Sequence, residues 1–250
     1  MIRAGFIVNG TSLPMSAKRL PVASVPALFC SALLCSASLP AVAGINANLG
    51  LTSEYIREGI SQTDGNPTWQ TGLTWEHNSG FYLGGWASGL DRRYDKASAE
   101  ADIFAGFYQP LSDYTALSLT ATHFTFYGDN SDEQNYTELG ARLLVDDSWV
   151  FGWRQSEEYL GTNSDRRALE ASYTLQTGTF GIEFYGAHYR NLGDKADMGY
   201  SDYLHFRIGL ERTWNQWDYR LTVERTNLSS SRFDAGTLFQ LGIHRYFNLW

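Results

Sequence analysis

Along most of this chain, large apolar residues fall on every second position with polar or small residues between them. That is the period of a β-strand whose two faces meet different surroundings. In Trp69 to Glu76 the apolar positions are Trp69, Leu73 and Trp75, with Gln70, Gly72, Thr74 and Glu76 on the other face. Leu139, Ala141, Leu143 and Val145 alternate with Glu138, Gly140, Arg142 and Leu144. Leu204, Phe206, Ile208 and Leu210 alternate with His205, Arg207, Gly209 and Glu211. The pattern predicts twelve strands, over roughly 45–56, 67–77, 81–90, 98–109, 114–127, 134–145, 148–159, 167–177, 179–190, 201–214, 217–227 and 236–250. Tight turns at Asn78-Ser79, Pro110 to Asp113, Asp146-Asp147, Thr177-Gly178 and Asn215-Gln216 alternate with longer polar loops near 57–66, 91–97, 128–133, 160–166, 191–200 and 228–235. Ten or fourteen strands also fit, because 81–90 and 114–127 alternate poorly.

An up-and-down antiparallel β-barrel that spans a membrane has this asymmetry of short turns and long loops. A soluble sandwich also alternates. Three features favour the transmembrane barrel. The strands are about as long as a tilted bilayer crossing requires. Tyr55, Trp69, Trp75, Trp149, Tyr159, Tyr203, Trp214, Trp217 and Tyr246 stand near strand ends, where an interfacial aromatic girdle is expected. The chain also closes on an aromatic strand ending at Trp250, with Arg245 as an exception on its apolar face.

The N-terminus reads as a cleaved secretory signal over residues 1–43. Lys18-Arg19 supply the basic region, Ala27 to Leu34 the apolar one, and Ala41-Val42-Ala43 the cleavage site before Gly44. Met15 is an alternative start. Cys30 and Cys35 both lie in this leader, so the mature chain has no thiol, disulfide or cysteine metal site. Export to the outer membrane, with residues 44–250 as one barrel, follows from leader and pattern together. The full chain carries a formal charge of −8, and losing Arg3, Lys18 and Arg19 makes it more acidic. Nucleic acid is excluded as a partner, since its binding relies on neutralising phosphates with Lys and Arg.

If the apolar face meets lipid, the other face lines the interior. Glu54, Glu58, Glu138, Arg142, Arg154, Glu170, Glu183, His205, Arg207, Glu211, Arg220 and Glu224 are the candidate pore-lining residues, with Glu76, Glu100, Asp102 and Asp218 on the same parity. Charges on this face are tolerable only in a wet or polar interior. Either they pair across strands, as Arg154 with Glu170 or Arg207 with Glu183, and fill a narrow lumen, or they line an open pore. Acidic residues exceed basic ones, which predicts a mild preference for cations. The expected partners are outer-membrane lipid, lipopolysaccharide and small hydrophilic solutes. Oligomeric state is left open.

A lipid-active enzyme is the rival class. It needs a hydroxyl and an imidazole within hydrogen-bond reach. His77, His123, His188, His205 and His244 lack an H-x-S arrangement on one strand, so no catalytic residue is assigned, although a cross-strand serine near His123 or His188 stays open. Asp129 to Asp132 and Asp91 to Asp95 lack the spacing of a calcium loop. No metal or cofactor is expected.

The segment Leu51-Thr52-Ser53-Glu54-Tyr55-Ile56-Arg57-Glu58-Gly59-Ile60-Ser61-Gln62-Thr63-Asp64, followed by Gly80-Phe81-Tyr82-Leu83-Gly84-Gly85-Trp86, resembles the TorF-type porin family of proteobacterial outer-membrane proteins. The match is most specific at Gly59 to Asp64. Glu58 stands where the family usually has arginine, with Arg57 one place earlier. The resemblance implies a porin of the outer membrane. The segment itself is expected to be an outside loop, with Glu54 and Glu58 at the rim of the lumen.

Overall fold

The computed structural model describes residues 3–8, 11–16, 44–92, 96–129, 132–162, 164–193, 202–230 and 233–249. The leader's apolar region and cleavage site lie outside these residues, as does Trp250. Before the barrel, the backbone of Arg3–Val8 pairs with Thr11–Ser16.

Twelve antiparallel strands close into one barrel. They are β1 (Gly44–Thr52), β2 (Thr68–Glu76), β3 (Phe81–Gly89), β4 (Ala97–Pro110), β5 (Thr115–Gly128), β6 (Tyr136–Val145), β7 (Trp149–Ser156), β8 (Arg166–Thr177), β9 (Phe180–Asn191), β10 (Tyr203–Trp214), β11 (Trp217–Thr226) and β12 (Thr237–Asn248). Each strand pairs with its neighbours in sequence. β12 closes the ring on β1, from Gly242 opposite Thr52 to Asn248 opposite Asn46. Closure leaves no unpaired edge, so each strand finds a partner strand on both sides.

Short turns occupy one end of the barrel. At Asp146-Asp147 and Asn215-Gln216 both central residues take positive φ, 52° and 52° in the first, 51° and 68° in the second. The second is the two-residue turn whose twist matches the flanking strands, and the first adds Ser148 before Trp149 pairs with Val145. Asp and Asn tolerate that backbone better than most residues.

The outward parity is apolar. Leu51, Leu73, Ile103, Leu139, Leu169, Phe206, Ile208 and Phe239 are all more than half exposed. Together with Trp69, Trp149 and Trp214 they form a continuous belt that water would not tolerate on this scale, and that a bilayer would cover.

The inward parity is polar on one side and aromatic on the other. Trp86, Phe104, Phe124, Phe126 and Tyr136, from β3 to β6, pack with Tyr55 and Tyr159 into a buried interior cluster. This explains the weak alternation of β3 and β5: their inward positions also carry large apolar rings, so the two faces differ little in sequence. Tyr55, Tyr159 and Tyr203 therefore do not belong to an interfacial girdle, as their positions near strand ends suggest. All three are buried inside. Tyr55 follows the end of β1, which stops at Thr52, and Tyr159 sits in a single 3-10 turn folded inward. Tyr203, the first residue of β10, takes the inward parity and stacks on Tyr189.

Candidate functional site

After β1 the chain does not leave the barrel. Residues 54–63 turn into the lumen as a miniature hairpin, Ile56–Arg57 paired with Ile60–Ser61. Glu58, with φ 54°, and Gly59, with φ 77°, reverse the chain at its tip. Gly59 is required there twice over. Its φ suits glycine, and a Cβ on it would lie 2.3 Å from Thr226 Cγ2 and 2.8 Å from His205 Cδ2. The expected outside loop at 57–66 is thus a hairpin inside the barrel, and Glu58 is a tip residue rather than a rim residue. The lumen draws it in because the walls offer both charges and rings that its side chains can use.

The hairpin reaches walls on several sides. Tyr55 packs edge-on against Trp86 of β3. Arg57 Nη1 donates to Glu100 Oε1 of β4 at 2.9 Å, and its other terminal nitrogen donates to the Tyr136 hydroxyl. The Arg57 guanidinium also lies 4.1 Å from the centre of the Phe124 ring. Glu58 faces the adjoining wall, from β7 to β10. Its carboxylate accepts from Arg166 Nη2 at 2.8 Å and the Tyr159 hydroxyl at 2.9 Å, and lies 3.1 Å from Arg154 Nη1. The Tyr203 hydroxyl donates to the Glu58 carbonyl. Farther round, Ser61 N donates to the Asp234 carbonyl, and Gln240 Nε2 to the Glu54 carbonyl.

Burial alone raises the Glu58 carboxyl, but the guanidinium groups of Arg166, Arg154 and Arg57 and the Tyr159 hydroxyl outweigh it and hold the group at about 2. Glu54 has no such company. Burial raises its carboxyl, with Ser61 and Gly65 only partly offsetting that. The two glutamates expected to share a rim therefore have opposite environments.

Beside the hairpin, a network of charges runs round the wall from β6 to β11. Arg154 is its centre, donating to Glu138 at 3.0 Å and to Glu170 at 2.8 Å. Tyr185 adds its hydroxyl to Glu170, and Arg142 stands 3.8 Å from the same carboxylate. Arg207 grips Glu183 through Nε and Nη2 at 3.0 and 3.1 Å, and Arg220 meets Glu183 at 2.6 Å. His205 Nε2 and Glu224 Oε2 are 2.8 Å apart, with Thr222 donating to the other Glu224 oxygen. Glu211 is opposite Arg220 in register. The two cross-strand pairs anticipated from spacing, Arg154 with Glu170 and Arg207 with Glu183, are both present. Between hairpin and network lies a cavity of about 90 Å³ lined by Arg57, Glu58, Glu138, Arg142, Arg154, Glu170, Glu183, Tyr185, His205 and Arg207 among others. That is room for roughly three waters.

Arg57 and Arg166 are missing from the sequence-based set, and both prove central. Arg57 lies in a segment whose polar turn-formers predict a loop. Arg166 sits at the first residue of β8, where parity cannot be read until the strand's start is known. Its guanidinium stacks on Tyr159 at 4.2 Å and Tyr189 at 4.7 Å. Of the histidines considered for catalysis, His205 is in the network, whereas His77 meets Ser79 within one turn at 2.8 Å and His123 meets Thr137 across strands at 3.0 Å on the outward face. Among the described residues no group of three His, Cys, Asp or Glu side chains is placed to hold a metal ion.

Residues 37–228 match the profile of a family described as "Bacterial protein of unknown function (Gcw_chp)". The chain belongs to this family. The Gcw_chp match spans β1 to β11 and so includes the inward hairpin and its wall partners. No curated protein matches the chain. Among solved structures, the KdgM porin is similar at TM-score 0.51 and 12% identity, covering 82% of this chain and 99% of that one. The KdgM porin in complex with disordered oligogalacturonate is similar at 0.51 and 10%, with the same coverage. At these identities the likeness is one of fold.

Proposed function

We propose that this chain is a porin-type channel of the outer membrane, passing small hydrophilic solutes by passive diffusion through a lumen narrowed by the hairpin at residues 54–63. The observation that carries this is a closed barrel, apolar outside, whose interior combines bidentate arginine–carboxylate pairs with a polar cavity. Keeping so many charges inside a membrane barrel has a physical reason if water and solutes pass among them. The barrel shared with the KdgM porin and the TorF-like segment at Leu51 to Asp64 support the same reading. KdgM has been solved in complex with disordered oligogalacturonate. Here the lumen arginines already face carboxylates at hydrogen-bond distance, so the proposal is restricted to small solutes. Residues 1–43 act in this reading as the export signal.

Purified protein in planar bilayers tests it. Stepwise conductance is expected, and proteoliposomes should swell in small sugars or amino acids but not in large oligosaccharides. Silent incorporation would sink the channel reading. One observation favours a second reading, a non-conducting barrel acting as scaffold: the hairpin is bonded to walls on several sides of the lumen. A silent wild type that conducts once the hairpin is removed would select that reading.

A further inference from the structure

Three arginines interrupt the outward face of β8 to β11 at the long-loop end of the barrel. Arg167 is the second residue of β8, Arg190 the last but one of β9 and Arg225 the last but one of β11. Their chain neighbours Arg166, Ala168, Tyr189, Asn191, Glu224 and Thr226 are buried inside, which puts the three on the outward parity. Arg167 and Arg190 are directly opposite in register. Two like charges so placed repel each other, and a charge on the lipid face is tolerated only near the interface.

Their present partners compensate little. Arg167 donates to the neutral Gln155 carbonyl at 3.2 and 2.9 Å. Arg190, with its side chain 62% exposed, has among the described residues Asp202 at 3.8 Å, and one Asp202 oxygen already accepts from Asn191 N. Arg225 is exposed and stands opposite Phe206 and Thr237. Asp165, Asp202 and Glu157, two residues beyond Gln155, are nearby described acids. The corresponding positions on the far side of the barrel are neutral: Leu51, Trp69, Tyr127 and Thr137. The charge is a sector, not a ring.

We propose that this sector binds the phosphorylated headgroup of lipopolysaccharide in the outer leaflet. Guanidinium forks match phosphate oxygens, and a phosphate between Arg167 and Arg190 turns their repulsion into two charge-assisted hydrogen bonds. Arg225 is three strands from Arg167 and four residues off its register line, on the order of 20 Å between backbones, a gap that the two long side chains shorten as Arg225 takes a second phosphate. A headgroup carrying two phosphates can bridge guanidiniums that reach toward each other across that gap, and a phospholipid with one cannot. The inference is independent of conduction.

The test measures binding of diphosphoryl lipid A, monophosphoryl lipid A and phosphatidylglycerol to the detergent-purified folded protein by native mass spectrometry. Wild type should retain diphosphoryl lipid A at least tenfold better than either of the others. The triple variant Arg167→Gln, Arg190→Gln, Arg225→Gln should lose that preference, while Arg212→Gln with Arg245→Gln, outward arginines at the short-turn end, should keep it. Should the triple variant fail to fold, R190Q alone carries the comparison with an expected severalfold loss. Equal retention of phosphatidylglycerol, an unchanged triple variant (or unchanged R190Q), or an equal loss in both variants would overturn the proposal.

Discussion

Glu58 and Gly59 show how much one turn decides. Glu58→Ala removes a carboxylate that lies within 3.1 Å of Arg154 and within 2.8 Å of the buried Arg166. Breaking a buried pair from one side costs about 3 kcal/mol, and urea unfolding in a detergent or lipid environment should show a loss of that order. Arg154 keeps Glu138 and Glu170, so the damage should centre on Arg166. Gly59→Ala is expected to act by strain instead, on the order of 1–3 kcal/mol, since its Cβ would meet Thr226 and His205 and φ is already positive. Conservative exchange elsewhere on the hairpin, such as Ile60→Val, should cost far less. If Gly59→Ala unfolds at the wild-type urea midpoint, the tip is not seated as described.

The hairpin as an element is held by buried charges as well as by backbone hydrogen bonds, so acid should loosen it. Glu58 titrates near 4.5 when free and at about 2 in place. A lowered folded value means its stabilisation is complete above about pH 4.5 and is lost as pH falls through about 2. Channel current noise should rise over that window and not in Glu58→Gln, which lacks the titrating group. Deleting residues 54–63 is expected to leave the barrel closed, because Thr52 pairs with Thr68 and Gly242 without help from the hairpin. Heat-modifiable migration on gels would confirm folding, and single-channel conductance should rise roughly twofold or more. Unchanged conductance would show that the hairpin does not narrow the path.

Over the whole molecule, inward carboxylates outnumber inward arginines: Glu76, Glu100, Asp102, Glu211 and Asp218 add to those in the network. A mild cation preference is expected, read as the sign of the reversal potential in a salt gradient. An anion-selective reversal would refute it. Protein recovered from outer membranes should begin at Gly44.

Strand number, turn placement and the outward belt were legible in the sequence because they depend on a local rule: successive side chains of a strand point to opposite sides. The same rule identified the inward charges Glu138, Arg154, Glu170, Glu183 and Arg207. It fails where the backbone leaves the strand. Tyr55, Arg57 and Glu58 follow no alternation once β1 ends at Thr52, and nothing local says whether a polar loop points to water or into a polar lumen. That choice belongs to the tertiary structure, since Glu100, Tyr136, Arg154 and Arg166 come from four different strands. Only closure of the barrel brings them round one hairpin, and only their joint charge makes the inside a better place for Glu58 than the outside.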